Sequence, residues 1–197
     1  MQLTDSHPLL RIQRCVDIGP ATKIIPTVAM FDDPHTILIS VDDDIDYRTN
    51  FIETLLKYHR KVPDAVVTGE SFMRVESTDP SVKYAELVEG YSAVLYLQWH
   101  LADFHVETDL DQLPKECYYA DDFILSNYLR KNGVKIIVAD EPAANKTTQR
   151  IYLDYGNGTD ALRNGANGNT NGNLDNYRKC SRYLESKKEL FIGYFSS

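Results

Sequence analysis

The run Thr36-Ile37-Leu38-Ile39-Ser40-Val41 ends abruptly in three consecutive aspartates, Asp42, Asp43 and Asp44. Six residues rich in β-branched side chains predict a buried strand. Adjacent carboxylates repel each other, so a strand ending this way calls for a positive partner. Hard cations prefer carboxylate oxygens, and Mg2+ often takes only one or two from protein and the rest from phosphate and water. Open α/β sheets bind ligands outside the carboxyl ends of their strands. The run therefore predicts Mn2+ or Mg2+ bridging to a phosphorylated substrate. A solvated turn is the alternative, because Asp also favours turns and helix N-caps. The residues after the aspartates favour a site: Ile45-Asp46-Tyr47, then a helical pattern of Phe51, Ile52, Leu55, Leu56 and Tyr58.

Further strands are predicted at Leu9 to Val16, Ala65 to Gly69 and Val134 to Ala139, and Ala93 to Tyr96 reads as another strand or a strand-to-helix turn. Helices are predicted at Ala21 to Met30 (disturbed by Pro26), Asn50 to His59, Asp121 to Asn132 and Asp175 to Leu190. Gly133 is a C-terminal stop for the third of these. Asp17-Ile18-Gly19-Pro20 reads as a turn, and the Gly- and Asn-rich stretch 155–176 as a flexible loop. Alternating strands and helices imply an α/β fold, and no linker divides the 197 residues, so residues 1–197 form a single domain.

Charge and cysteine usage narrow the function classes. A formal net charge of -8 argues against nucleic acid as a partner. No apolar run is long enough for a transmembrane segment. The first eight residues lack the basic and apolar regions of a signal peptide, which predicts a cytoplasmic protein. Cys15, Cys117 and Cys180 fit no zinc spacing, and an odd count gives no disulfide framework. They are expected to be reduced and mostly buried. The glycosylation patterns at Asn145 and Asn157 then read as chance.

A second acidic centre, Asp121-Asp122, follows Tyr118-Tyr119-Ala120 at a predicted helix start. Capping and the helix macrodipole explain acidic residues there. A carboxylate at that place also suits a general base that takes a proton from an attacking hydroxyl. One centre for metal and one for protons is the expected arrangement.

Four segments in order then resemble a known family: Asp17-Ile18-Gly19-Pro20-Ala21-Thr22-Lys23, Val41-Asp42-Asp43-Asp44-Ile45, Glu89 to Tyr96, and Asp121-Asp122. They are similar to the family-two-like, nucleotide-sugar glycosyltransferases of the GT-A fold, over roughly 11–140. The resemblance implies a GT-A-like mixed sheet flanked by helices. It implies a metal-dependent, inverting transferase that takes a nucleotide-diphosphate sugar as donor and a carbohydrate or glycan as acceptor. Asp42 and Asp44 would surround the metal and the nucleotide, with Asp42 and Asp43 on the substrate side. Asp17, Gly19 and Lys23 would face the nucleotide, and Gly90 and Tyr91 the donor sugar or acceptor. Asp122 would be the catalytic base, with Asp121 as second choice.

Such enzymes carry a further strand, helix and strand before the Gly-Pro segment. About 60 upstream residues are expected to be missing, judged by typical βαβ sizes, which predicts an exposed sheet edge or an open pocket on that side. A degenerate carbohydrate- or partner-binding domain is one alternative. A phosphoryl- or nucleotidyl-transferase is another, although no P-loop is present. Trp99 and His100 read as core and surface of a helical segment, with Trp99 also a candidate for stacking on an acceptor and His105 a candidate third metal ligand.

Overall fold

The computed structural model describes residues 9–77, 79–107, 112–139, 141–142, 148–149, 152–155 and 173–193. Its centre is a six-stranded mixed sheet. In chain order the strands are β1 (Ile37–Ser40), β2 (Ile45–Tyr47), β3 (Val66–Thr68), β4 (Arg74–Val75), β5 (Lys83–Ala85), β6 (Val94–Leu97), β7 (Ile136–Val138), β8 (Glu141–Pro142), β9 (Thr148–Gln149) and β10 (Tyr152–Tyr155). The large sheet runs β1-β6-β3-β7-β5-β4, while β2 pairs with β10 and β8 with β9. Only β3 and β7 are parallel neighbours in it; the remaining pairs are antiparallel. The helices are α1 (Ile25–Val28), α2 (Phe51–Lys61), α3 (Phe104–Glu107), α4 (Lys115–Tyr118), α5 (Asp121–Lys131) and α6 (Asn173–Lys187).

The central strands are short, apolar and buried on both faces. Val66, Val67, Val94, Leu95, Ile136, Ile137 and Val138 are all at most 1% exposed. Successive strand residues point to opposite faces, and the core divides accordingly. Val66, Val94, Ile136 and Val138 pack with Phe123, Ile124 and Leu129 of α5 and Tyr177 and Leu184 of α6. Val67, Leu95 and Ile137 pack on the other side with Leu55 and Tyr58 of α2. The result is an α/β sandwich of helix, sheet and helices. At the end of α5, Gly133 has φ +71°, and Val134 N donates back to Leu129 O at 2.9 Å. This is the left-handed stop expected there.

Strand polarity decides where ligands can go. β6 is antiparallel to both β1 and β3, so β1, β3 and β7 point the same way. Their carboxyl ends lie along one sheet edge, together with the start of β6: Ser40 pairs with Val94, Thr68 with Val94 and with Val138. Asp42 to Asp44, the loop after Thr68 and Gly90 to Ser92 all emerge along that edge. β1 is the outer strand of the sheet, and β6 is its ladder partner among the described residues.

Several sequence expectations need correction. Residues 10–16 form no strand. The helix expected over Ala21 to Met30 is a 3-10 turn (Ala21–Lys23) followed by the single turn α1, because Pro26 cannot donate within a longer helix. The stretch 155–176 is not all loop: Tyr155 ends β10 and α6 begins at Asn173, with 156–172 outside the described residues. The asparagines at 145 and 157 also lie outside them. Cys117 and Cys180 are not reduced thiols. They form a disulfide with Cα atoms 4.9 Å apart that ties α4 to α6, and only Cys15 is free and exposed. Their wide spacing in sequence hid a pairing that only the packing of α4 on α6 creates.

Trp99 and His100 exchange their expected places. Trp99 is 38% exposed, and His100 is buried. His100 Nδ1 accepts from Leu97 N at 3.0 Å, and its Nε2 lies 3.2 Å from Asp64 O. Burial lowers the imidazole to about 4, so it is neutral at pH 7 and serves as a backbone clip. Both residues follow Leu97, which pairs with Ile37 at the start of β1. They therefore lie at the end of the sheet opposite the aspartates.

Candidate functional site

Lys23 links the two acidic centres. Its Nζ donates to Asp42 Oδ1 at 2.7 Å. A Cβ built on Gly90 would lie 2.7 Å from that same Nζ and 2.9 Å from Asp122 Oδ1. Lys23, Gly90 and Asp122 thus converge on one point, and glycine at 90 is what permits the approach. Gly90 N also donates to Asp122 Oδ2 at 3.0 Å. Burial works against the charge of Lys23, but Asp122, Asp121 and Asp42 outweigh it and hold the ammonium above an ordinary lysine.

The carboxylates of α5 experience the reverse. Burial, joined by the neighbouring Asp121 and opposed by Lys23, pushes Asp122 well above the usual aspartate range. Asp121 is also raised, mainly by burial, with Lys23 opposing. Asp122 Oδ1 is buried and accepts no hydrogen bond. An unpaired buried carboxylate oxygen is costly, and an aspartate with a raised pKa is suited to taking a proton. Ala120 occupies the N-cap position of α5 and makes no side-chain cap, so Asp121 and Asp122 sit inside the first turn rather than capping it. There the macrodipole favours their negative charge.

The Asp42–Asp44 turn is more open. Asp42 is half-buried, whereas Asp43 and Asp44 are exposed. Asp42 N donates to the Tyr47 hydroxyl at 3.0 Å, and that hydroxyl donates to Tyr91 O at 2.8 Å. Burial raises Tyr47 to about 12, so the phenol stays protonated and pins the acidic turn to the Gly90 segment. Among the described residues no three His, Cys, Asp or Glu side chains converge as a metal centre. Two carboxylates from this turn still fit a Mg2+- or Mn2+-type ion that draws its other oxygens from a diphosphate and water. His105 does not join them: it lies on α3 beside a small cavity lined by Ile25 and Gln98.

The remaining sequence candidates have structural duties. Asp17 is exposed, and its Oδ1 accepts from Gly19 N at 2.9 Å, closing a turn. Gly19 has φ +74°, and a Cβ there would collide with the Tyr118 ring. Together they aim the 3-10 turn carrying Lys23 at the site. Tyr91 donates its hydroxyl to Glu70 Oε2 at 3.1 Å. Sequence reasoning missed Tyr47, Glu70, Glu89 and Tyr177. The Ile45-Asp46-Tyr47 triplet and the segment opened by Glu89 were the visible signals; Glu70 and Tyr177 act through contacts between distant segments. A cavity of about 450 Å³ lies elsewhere, between α5 and α6, lined by Ile124, Asn127, Tyr183 and Phe191. It touches none of the aspartates of the site.

No protein-family model matches the chain, and no curated protein or solved structure matches it significantly.

Proposed function

We propose that this chain is a GT-A-like glycosyltransferase domain that moves a sugar from a nucleotide-diphosphate donor to an acceptor hydroxyl, with inversion. The single observation that carries the reading is the buried, unpartnered Asp122 Oδ1 facing the point where Lys23 and Gly90 meet. A base, a cation and a bare stretch of backbone at the carboxyl ends of parallel-running strands form a site for an anionic, oxygen-rich substrate.

In this reading Asp42 and Asp44 hold Mn2+ or Mg2+, which would supply charge neutralisation for the diphosphate leaving group. Lys23 adds a fixed positive charge beside the same group. Gly90 leaves room for Lys23 Nζ and Asp122 Oδ1 to approach each other beside the substrate. Asp122 accepts the proton of the acceptor hydroxyl as its oxygen bonds to the anomeric carbon and the bond to the diphosphate breaks on the opposite side. Asp121 raises the basicity of Asp122 by repulsion.

No helix among the described residues is long and apolar enough to cross a membrane. The thiols lend no support to a cytoplasmic location, because the Cys117–Cys180 bridge is at home in an oxidising compartment.

Incubation with a panel of UDP- and GDP-sugars, with Mn2+ or with a chelator, tests the reading. Release of nucleotide diphosphate from at least one donor, lost on chelation, is expected. A folded chain that neither binds nor turns over any donor of the panel contradicts it.

A further inference from the structure

Phe72 is an exposed aromatic ring on a rigidly held loop at the site edge. It follows β3 and is 51% exposed, more open than Phe31, Trp99 or Phe191. Its neighbours Ser71 and Met73 are buried. Phe72 N donates to Glu89 Oε1 at 2.6 Å, Met73 N to Ser71 Oγ at 3.2 Å, and Arg74 Nε to Ser71 O at 3.0 Å. The loop is pinned on both sides of a ring that leaves about half of its surface open to solvent.

The ring is also the outer member of an aromatic column. Phe72 stacks on Tyr177 with centroids 6.3 Å apart and planes 13° apart, and Tyr177 on Phe123 at 5.6 Å and 27°. Phe123 directly follows Asp122 in α5. A second route joins the same points: Glu89 holds the Phe72 amide, while the next residue, Gly90, donates to Asp122 Oδ2 at 3.0 Å. Phe72 is thus fixed relative to Asp122 through buried residues. The Glu70 carboxylate, two residues before Phe72, accepts from the Tyr91 hydroxyl and stands at the rim of the loop.

A pyranose presents one face of C–H groups and a rim of hydroxyls. The C–H face suits the negative face of an aromatic ring, and carboxylates accept from hydroxyls. We propose that Phe72 is the platform on which the acceptor sugar stacks, with Glu70 at its rim, and that it selects acceptors carrying a pyranose with an open apolar face. The identity of the occupant rests on the proposed transfer function. Phe72 takes no part in bond making; it orients the acceptor hydroxyl toward Asp122. Trp99, the stacking candidate visible in the sequence, lies at the opposite end of the sheet.

Saturation-transfer difference NMR on the full chain reads the contact directly. The probes are the methyl pyranosides of glucose, galactose, mannose and N-acetylglucosamine, each with Mn2+ and UDP or GDP. Phe72→Ala is expected to weaken the pyranosides that bind by about three- to tenfold, Phe72→Tyr to retain them, and Trp99→Ala to leave them unchanged. The platform is overturned if no methyl pyranoside binds the wild-type chain, if Phe72→Ala binds as tightly, or if Trp99→Ala loses as much. Calorimetry with Mn2+ and UDP or GDP on the same proteins separates the two readings. Nucleotide binding with sugar binding that ignores Phe72 removes the platform alone. Sugar binding that needs Phe72 without any nucleotide binding keeps the platform and removes the transfer reading.

Discussion

Asp42, Asp43 and Asp44 stand on a turn largely open to water, whereas Asp121 and Asp122 begin a helix whose following residues, Phe123 to Leu129, are buried. The side chains are the same; the surroundings set their chemistry. The open turn meets its charge with Lys23, held at 2.7 Å, and with solvent. The helix start has Lys23 at a remove and the apolar core behind it, so burial pushes Asp122 and Asp121 upward. Acidic groups in such different surroundings can take separate roles: the open turn suits a cation, the helix start a proton. Lys23 lies between them, bonded to Asp42 and acting on Asp122 through its charge.

The comparison breaks most visibly at Asp122. Asp122→Asn keeps the shape and the hydrogen bond from Gly90 but removes the proton acceptor. Turnover of a competent donor and acceptor should fall by about 100- to 10,000-fold. Equal turnover in stopped assays at saturating donor would place the base elsewhere.

The next largest effect concerns what keeps the helix start buried. The Cys117–Cys180 bridge joins α4, just before Asp121, to α6, whose Tyr177 stacks on Phe123. Its loss, by Cys180→Ala with Cys117→Ala, should cost about 2–4 kcal/mol in denaturant unfolding. An unchanged midpoint would mean that packing of α6 alone suffices.

Lys23→Met should come third. It strands Asp42 and leaves the half-buried Asp121 and Asp122 uncompensated, at a cost of about 1–3 kcal/mol, discounted because Lys23 and Asp42 are both more than a quarter exposed. Urea denaturation that shows no loss would indicate that solvent alone compensates Asp42.

The smallest effect has the opposite sign. Asp122 has a higher proton affinity folded than unfolded. The folded state therefore binds more protons between the ordinary value of about 3.9 and the raised one, and stability is lost as pH climbs through that window. Asp122→Asn lacks this loss and should be more stable than wild type at neutral pH, by about 0.5–2 kcal/mol, while matching it near pH 3. Thermal unfolding at both pH values measures the difference. A less stable variant at neutral pH would show that the carboxylate is well compensated.

The sequence disclosed the parts of this arrangement that are local. β1, β3 and β7 are apolar runs, α2 and α5 carry helical periodicity, and the three aspartates mark their own turn. What stayed hidden depends on contacts between distant segments. β4 and β5 are two and three residues long, too short to show a period, and hold their place only by pairing across the sheet. The antiparallel entry of β6 between β1 and β3 is invisible in an alternating strand-and-helix pattern. The exchange of Trp99 and His100 arose from backbone groups at Leu97 and Asp64 that the imidazole satisfies. Within the site, the acidic residues, Lys23 and Gly90 could be read, but the meeting of Lys23 with Asp42 and Asp122 could not. That juxtaposition needs a turn before β1, the segment before β6 and a helix start to come to one point.

The central claim is that the aspartates of the turn after β1 hold a cation with the nucleotide while Asp122 at the helix start moves a proton. Calorimetric titration of Mn2+ and the donor nucleotide into Asp44→Asn and Asp122→Asn, with turnover measured on the same preparations, tests it most directly. The account predicts that Asp44→Asn loses Mn2+-dependent nucleotide binding, and that Asp122→Asn binds as the wild type does and barely turns over. Unchanged Mn2+-dependent binding in Asp44→Asn, or binding lost in Asp122→Asn while Asp44→Asn keeps it, would contradict it.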